Sequence, residues 1–101
     1  MSRVHSPNRW VIVGNGKNFK VLGGWSGGYL DGDSWRLSSG LQKIEEDGDY
    51  YLMQNYSGSV YKCHKQGEGM IVIMAGILAQ LQEQSDDVRT YTVEEFNETR
   101  S

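Results

Sequence analysis

At 101 residues, with a net charge of −3 and a pI near 5.3, the chain is the size of one ordinary domain and carries no bulk field that would draw nucleic acid or an anionic membrane surface. Hydrophobic residues at 38%, with three Trp and six Tyr, exclude a disordered chain, and the single cysteine, Cys63, excludes an intramolecular disulfide framework. Thirteen Gly against one Pro describe a chain that turns often on glycine, as antiparallel sheets do.

Residues 1–8 are polar and lack the apolar core of a signal peptide, so a flexible lead on a cytoplasmic protein is expected. Residues 9–13 (RWVIV) form a β-branched run that ends at Asn15 and Gly16, a strong hairpin signal, and residues 18–22 supply the returning strand. The glycine-rich stretch 23–28 around Trp25 predicts an irregular loop. In residues 34–38, Trp35 and Leu37 alternate with Ser34 and Arg36, the pattern of a strand. A second hairpin is predicted over 41–54, turning at Asp47 and Gly48, and Val60 and Lys62 oppose Tyr61 and Cys63 in a last strand.

From Glu68 the period changes. Met70, Ile73, Met74, Ile77, Leu78 and Leu81 recur at spacings of three and four, which predicts a helix over 68–84 lying on a sheet. Ile71 and Val72 are also apolar and Gly76 falls mid-helix, so a buried strand at 70–74 is the alternative. If the helix forms, Ile71, Val72 and Ala75 lie off its core stripe and are free to meet a partner. The apolar run 70–79 is about half of a bilayer span. Thr92 and Glu95 match a capping box, predicting a short helix over 92–100 that packs Phe96. The expectation is one α+β domain over 1–101: an antiparallel β-meander of five to six strands in residues 9–65, one C-terminal helix packed on it, and a short terminal helix.

No residue pattern points to catalysis, a metal or a cofactor. Gly14 and Gly16 lack the third glycine and the following helix of a dinucleotide fingerprint. Asp31, Asp33, Glu45, Glu46, Asp47 and Asp49 sit beside glycine turns, at spacings unlike an EF-hand. Cys63 and His64 are adjacent, so a strand sends them to opposite faces, which disfavours a nucleophile–base pair and a metal site shared with His5 and favours a buried structural cysteine. The strand aromatics are interleaved with Arg9, Lys20, Arg36, Lys62 and Lys65, which is chemistry that can stack bases. The acidic balance and the ordinary use of Trp and Tyr in small β cores argue against nucleic acid. Trp25 stands apart, because a large ring in a glycine loop either covers a core edge or anchors a partner.

The stretch from Asp47, Gly48, Asp49, Tyr50, Tyr51 and Leu52 to Tyr56, Ser57, Gly58, Ser59, Val60, Tyr61, Lys62, Cys63, His64 and Lys65 resembles small proteins carried by bacteriophages and other mobile elements. The resemblance covers strand–turn–strand residues only and implies an accessory protein of the host-cell cytoplasm. Inhibitors of bacterial defence systems, such as anti-CRISPR proteins, are similar in size and composition. The function expected is a non-enzymatic protein-interaction module that occupies a host protein or complex, with homodimers left open; the alternatives are a single-stranded nucleic-acid binder using the sheet aromatics and, behind it, a small enzyme using Cys63 and His64. Its partner-binding candidates are Trp25, Tyr29, Trp35 and Tyr56, with Glu83, Asp86 and Asp87 as an acidic decoy for a basic site.

Overall fold

In residues 9–14, Trp10 and Ile12 alternate with Val11 and Val13, and all four side chains are buried. A strand that is apolar on both faces must be covered on both. The computed structural model, which describes residues 3–28 and 32–100, supplies both covers. Its elements are β1 (Val4–His5), β2 (Arg9–Gly14), β3 (Phe19–Gly28), β4 (Gly32–Leu37), β5 (Leu41–Asp47), β6 (Tyr50–Asn55), β7 (Val60–His64), α1 (Val72–Gln84), β8 (Arg89–Tyr91) and α2 (Val93–Arg100). The strands form two four-stranded sheets, ordered β1-β7-β6-β5 and β4-β3-β2-β8. Between them lies the larger core, where Trp10, Ile12 and Val21 of the second sheet meet Met53, Tyr61 and Cys63 of the first. Trp10 ties the layers together by donating from Nε1 to the His64 carbonyl at 2.8 Å. On the other face of the second sheet, Val11, Val13 and Leu22 pack under α1 through Met74.

The protein is thus mixed α+β, but a single meander of five to six strands is replaced by two sheets. The break falls after β4, which pairs only with β3, and the chain then crosses to the first sheet. Ser38 satisfies the backbone at the crossing: its buried hydroxyl accepts from the Val21 amide at 2.8 Å and donates to the Ser39 carbonyl at 2.7 Å.

The glycine-rich stretch is not a loop, because β3 runs through it to Gly28. Gly23 and Gly24 are packing positions. A Cβ on Gly23 would sit 3.0 Å from Pro7, and one on Gly24 would run into the Met74 side chain. Nor is the lead wholly free, since Val4 and His5 pair in parallel with Val60 and Tyr61.

The helix is present but begins at Val72, after a 3-10 turn at Lys65–Gly67, and no strand forms at 70–74. This later start exchanges two side chains. Ile71 packs against the α1 core instead of lying off it, and Met70, expected on the stripe, is 42% exposed. Val72 and Ala75 do face outward. Strand β8 had no counterpart in the sequence pattern. Both hairpins and the Thr92 cap form as expected: Oγ1 of Thr92 accepts from the Glu95 amide at 3.0 Å, and Glu95 Oε1 accepts from the Thr92 amide at 2.9 Å.

Candidate binding cleft on the open side of the sandwich

Strand β4 is the edge of the second sheet, and its alternation has the expected sense. Leu37, paired with Leu22, turns toward α1, while Arg36, paired with Gly23, turns toward the first sheet. On that sheet the edge is β1, whose pairing with β7 stacks the His5 ring on Tyr61 at 5.0 Å between centroids. Arg36 therefore faces Arg3 and His5 across the open side of the sandwich. They line a cleft of about 380 Å³ with Tyr61 and Ser39, Ser57 and Ser59. A second hollow of about 420 Å³ shares His5 and Arg36 and is walled by Trp25 and Trp35, so the two are immediate neighbours.

Among the described residues no Asp or Glu lines either hollow. The ion pairs Lys43–Glu45, Lys65–Glu46 and Arg89–Glu95 lie elsewhere, and neither Arg3 nor Arg36 has an ion-pair partner among the described residues. The cationic field is felt locally: burial, then Arg36, then Arg3 hold the His5 pKa below its ordinary value. Burial pushes the Tyr61 phenol up, and Arg36 opposes that rise.

The serine wall is ordered. Ser39 Oγ donates to Ser57 Oγ at 2.7 Å, and Ser57 and Ser59 hydroxyls are linked at 3.2 Å. Asn55, itself buried, donates from Nδ2 to Ser59 Oγ at 3.0 Å. Three hydroxyls joined by two links leave one proton over. Whichever way the Ser57–Ser59 link runs, one O–H has no acceptor among the described residues and is left to donate to whatever enters.

Of the partner-binding candidates singled out from sequence, the structure brings two to this side of the sandwich. Trp25 takes the first of its two expected roles, packing against the core edge, and it also walls the second hollow, with Nε1 donating to the Ser6 carbonyl at 3.0 Å. Trp35 stands on the rim, 42% exposed. Tyr56 is 67% exposed but lines a separate hollow with Gly40 and Leu41. Glu83, Asp86 and Asp87 are exposed at the end of α1 and just beyond it, and none of them lines the cleft. Tyr29 lies outside the described residues, as does Asp31 of the acidic turn.

Cys63 is fully buried, and burial pushes its thiol pKa up to about 12. His64 points away from it, with Nδ1 accepting from the Gln66 amide at 3.0 Å. The cation–aromatic interleaving is largely consumed internally, with Lys62 over the Tyr50 ring at 4.6 Å and Lys65 over Tyr51 at 5.3 Å.

Sequence reasoning missed Arg3 and the serine wall, and weighed His5 only as a metal ligand. These residues converge only because β1 pairs with β7 and because the turns after β4 and β6 meet, and no local spacing encodes that convergence. Their one local signal, serines flanking Gly40 and Gly58, is indistinguishable from ordinary turn chemistry. No protein-family model matches the chain, and no curated protein or solved structure is significantly similar to it, so the functional reading rests on geometry.

Proposed function

We propose that this chain is a non-enzymatic interaction module that engages a protein partner along the β4 edge, with Trp35 as the anchor. The observation that carries this reading is the state of β4: a six-residue edge strand, unpaired on its outer side among the described residues, exposed from Gly32 through Arg36 and bearing a Trp that is 42% exposed. An open strand edge offers main-chain donors and acceptors to a partner's strand, and an exposed indole beside it supplies the apolar contact. Binding is favoured over catalysis because the one thiol is buried, has a raised pKa and lacks an adjacent base. An inhibitor of a host defence protein is the narrowest form of the proposal, since occupying a surface is then the whole activity. The acidic residues Glu83, Asp86 and Asp87 would form a second, separate contact.

The test is affinity capture from nuclease-treated bacterial lysate with tagged wild type and Trp35→Ala, the fold of each checked by circular dichroism. A discrete protein retained by wild type and lost on substitution supports the proposal. Retention that is indifferent to Trp35, or no retained protein, argues against it.

A further inference from the structure

The inner side of β4 carries a second message, independent of its outer edge. Two guanidiniums and an imidazole gather in one cleft of an acidic protein, without a carboxylate among the described residues that line it. Guanidiniums placed like this without a counter-ion are matched by an oxyanion, and phosphate, with acceptors in several directions, suits donors arriving from opposing walls. The serine wall adds the remaining requirement, a neutral donor fixed in place: Asn55 and the Ser39–Ser57–Ser59 chain hold the hydroxyls in position and leave one O–H free. A bare phosphate would occupy little of the space, because the cleft of about 380 Å³ borders the hollow of about 420 Å³ beside Trp25, with His5 and Arg36 in the walls of both. There the wall is a flat indole, held at its edge by the Ser6 carbonyl. An anion-binding end and a rigid aromatic end, joined through His5 and Arg36, match a ligand with a phosphate at one end and a planar ring at the other.

We infer that the open side of the sandwich binds a nucleotide, its phosphate held by Arg3, Arg36 and the free serine hydroxyl and its base set against Trp25. The nucleotide is either free or part of a single strand, and the same chemistry reads both.

The experiment is isothermal titration of the intact chain with inorganic phosphate, adenosine 5′-monophosphate and a single-stranded oligodeoxyadenylate of about ten nucleotides, at one fixed moderate salt concentration. The monophosphate is expected to bind at least about tenfold more tightly than phosphate, through the added ring contact. Arg36→Gln and Arg3→Gln should each weaken monophosphate binding by about tenfold or more, while Lys43→Gln, on β5, leaves it unchanged. Both arginines are exposed, so these variants keep the fold. An oligonucleotide that binds more tightly than the monophosphate, with the same loss on Arg36→Gln, supports the site and assigns its ligand to a single strand. A monophosphate that binds at least as tightly as the oligonucleotide supports the site and assigns a free nucleotide. Phosphate binding as tightly as the monophosphate, equal weakening by Lys43→Gln, or no binding at millimolar ligand overturns the inference. None of these results bears on capture of a protein through Trp35.

Discussion

The two sides of the sandwich are finished in opposite ways. On the β8 side, α2 drives Val93 and Phe96 into the space between the sheets, and Phe19 meets Phe96 and Tyr91 edge-on at 5.1 and 4.9 Å between centroids. On the β4 side no helix enters, and the gap between β4 and β1 is lined by two arginines, a histidine and serines. Apolar closure is how a small domain gains stability, so a side left polar and cationic contributes little to folding and retains donors for a ligand. Substitutions on the two sides should therefore separate stability from binding.

The largest effect is expected at the closed side. Phe96→Ala removes a fully buried ring that wedges α2 against β3 and should cost about 3–5 kcal/mol in denaturant unfolding. A loss below about 1 kcal/mol would mean that α2 does not close the sandwich. Next is the alkaline limit set by Cys63. Its folded pKa of about 12 lies above the ordinary thiol value of 9.0, so above pH 9 the unfolded chain loses a proton that the fold retains. Stability contributed below pH 9 is therefore lost as pH rises toward 12, with an upper bound on the order of 4 kcal/mol. The check is the difference in stability between wild type and Cys63→Ala, which should shrink across that interval. Thr92→Ala removes the cap that starts α2 and should cost about 1 kcal/mol.

The smallest stability effect, and the sharpest contrast, belongs to Arg36→Gln. It should change stability by less than about 0.5 kcal/mol, because its guanidinium has no ion-pair partner among the described residues. It should, however, raise the His5 pKa, which burial, Arg36 and Arg3 together depress. The sign follows from linkage. As pH falls through 6.5 the unfolded chain protonates His5 before the folded chain does, so the fold loses stability there, and removing Arg36 lessens that loss. An NMR titration of the His5 ring protons that does not move in Arg36→Gln would place Arg36 too far away to share the cleft.

The same contrast explains how much was legible in the sequence. Local signals, namely the Asp47–Gly48 turn, the Thr92 cap, the alternation around Arg36 and the α1 stripe, were all readable because each is encoded within a few residues. The division into two sheets was not, because the break after β4 and the place of β8, three residues paired with β2 far away in the chain, are set by long-range pairing. The glycines at 23 and 24 misled, since they admit Pro7 and Met74 against a strand rather than loosening a loop. The cleft was the least legible feature. Trp25, Trp35 and Arg36 were visible as residues, but Arg3, His5 and Ser59 join them only through a parallel pairing of two residues that no periodicity announces.

The most direct test of the open side as a ligand site is chemical-shift mapping of the ¹⁵N-labelled chain during titration with adenosine 5′-monophosphate. Saturating shifts at residues 3–6, 25, 34–39 and 57–61, with α1 and α2 unmoved, are the predicted result. Shifts confined to the outward side of α1 around Val72, or no saturable change, would contradict it.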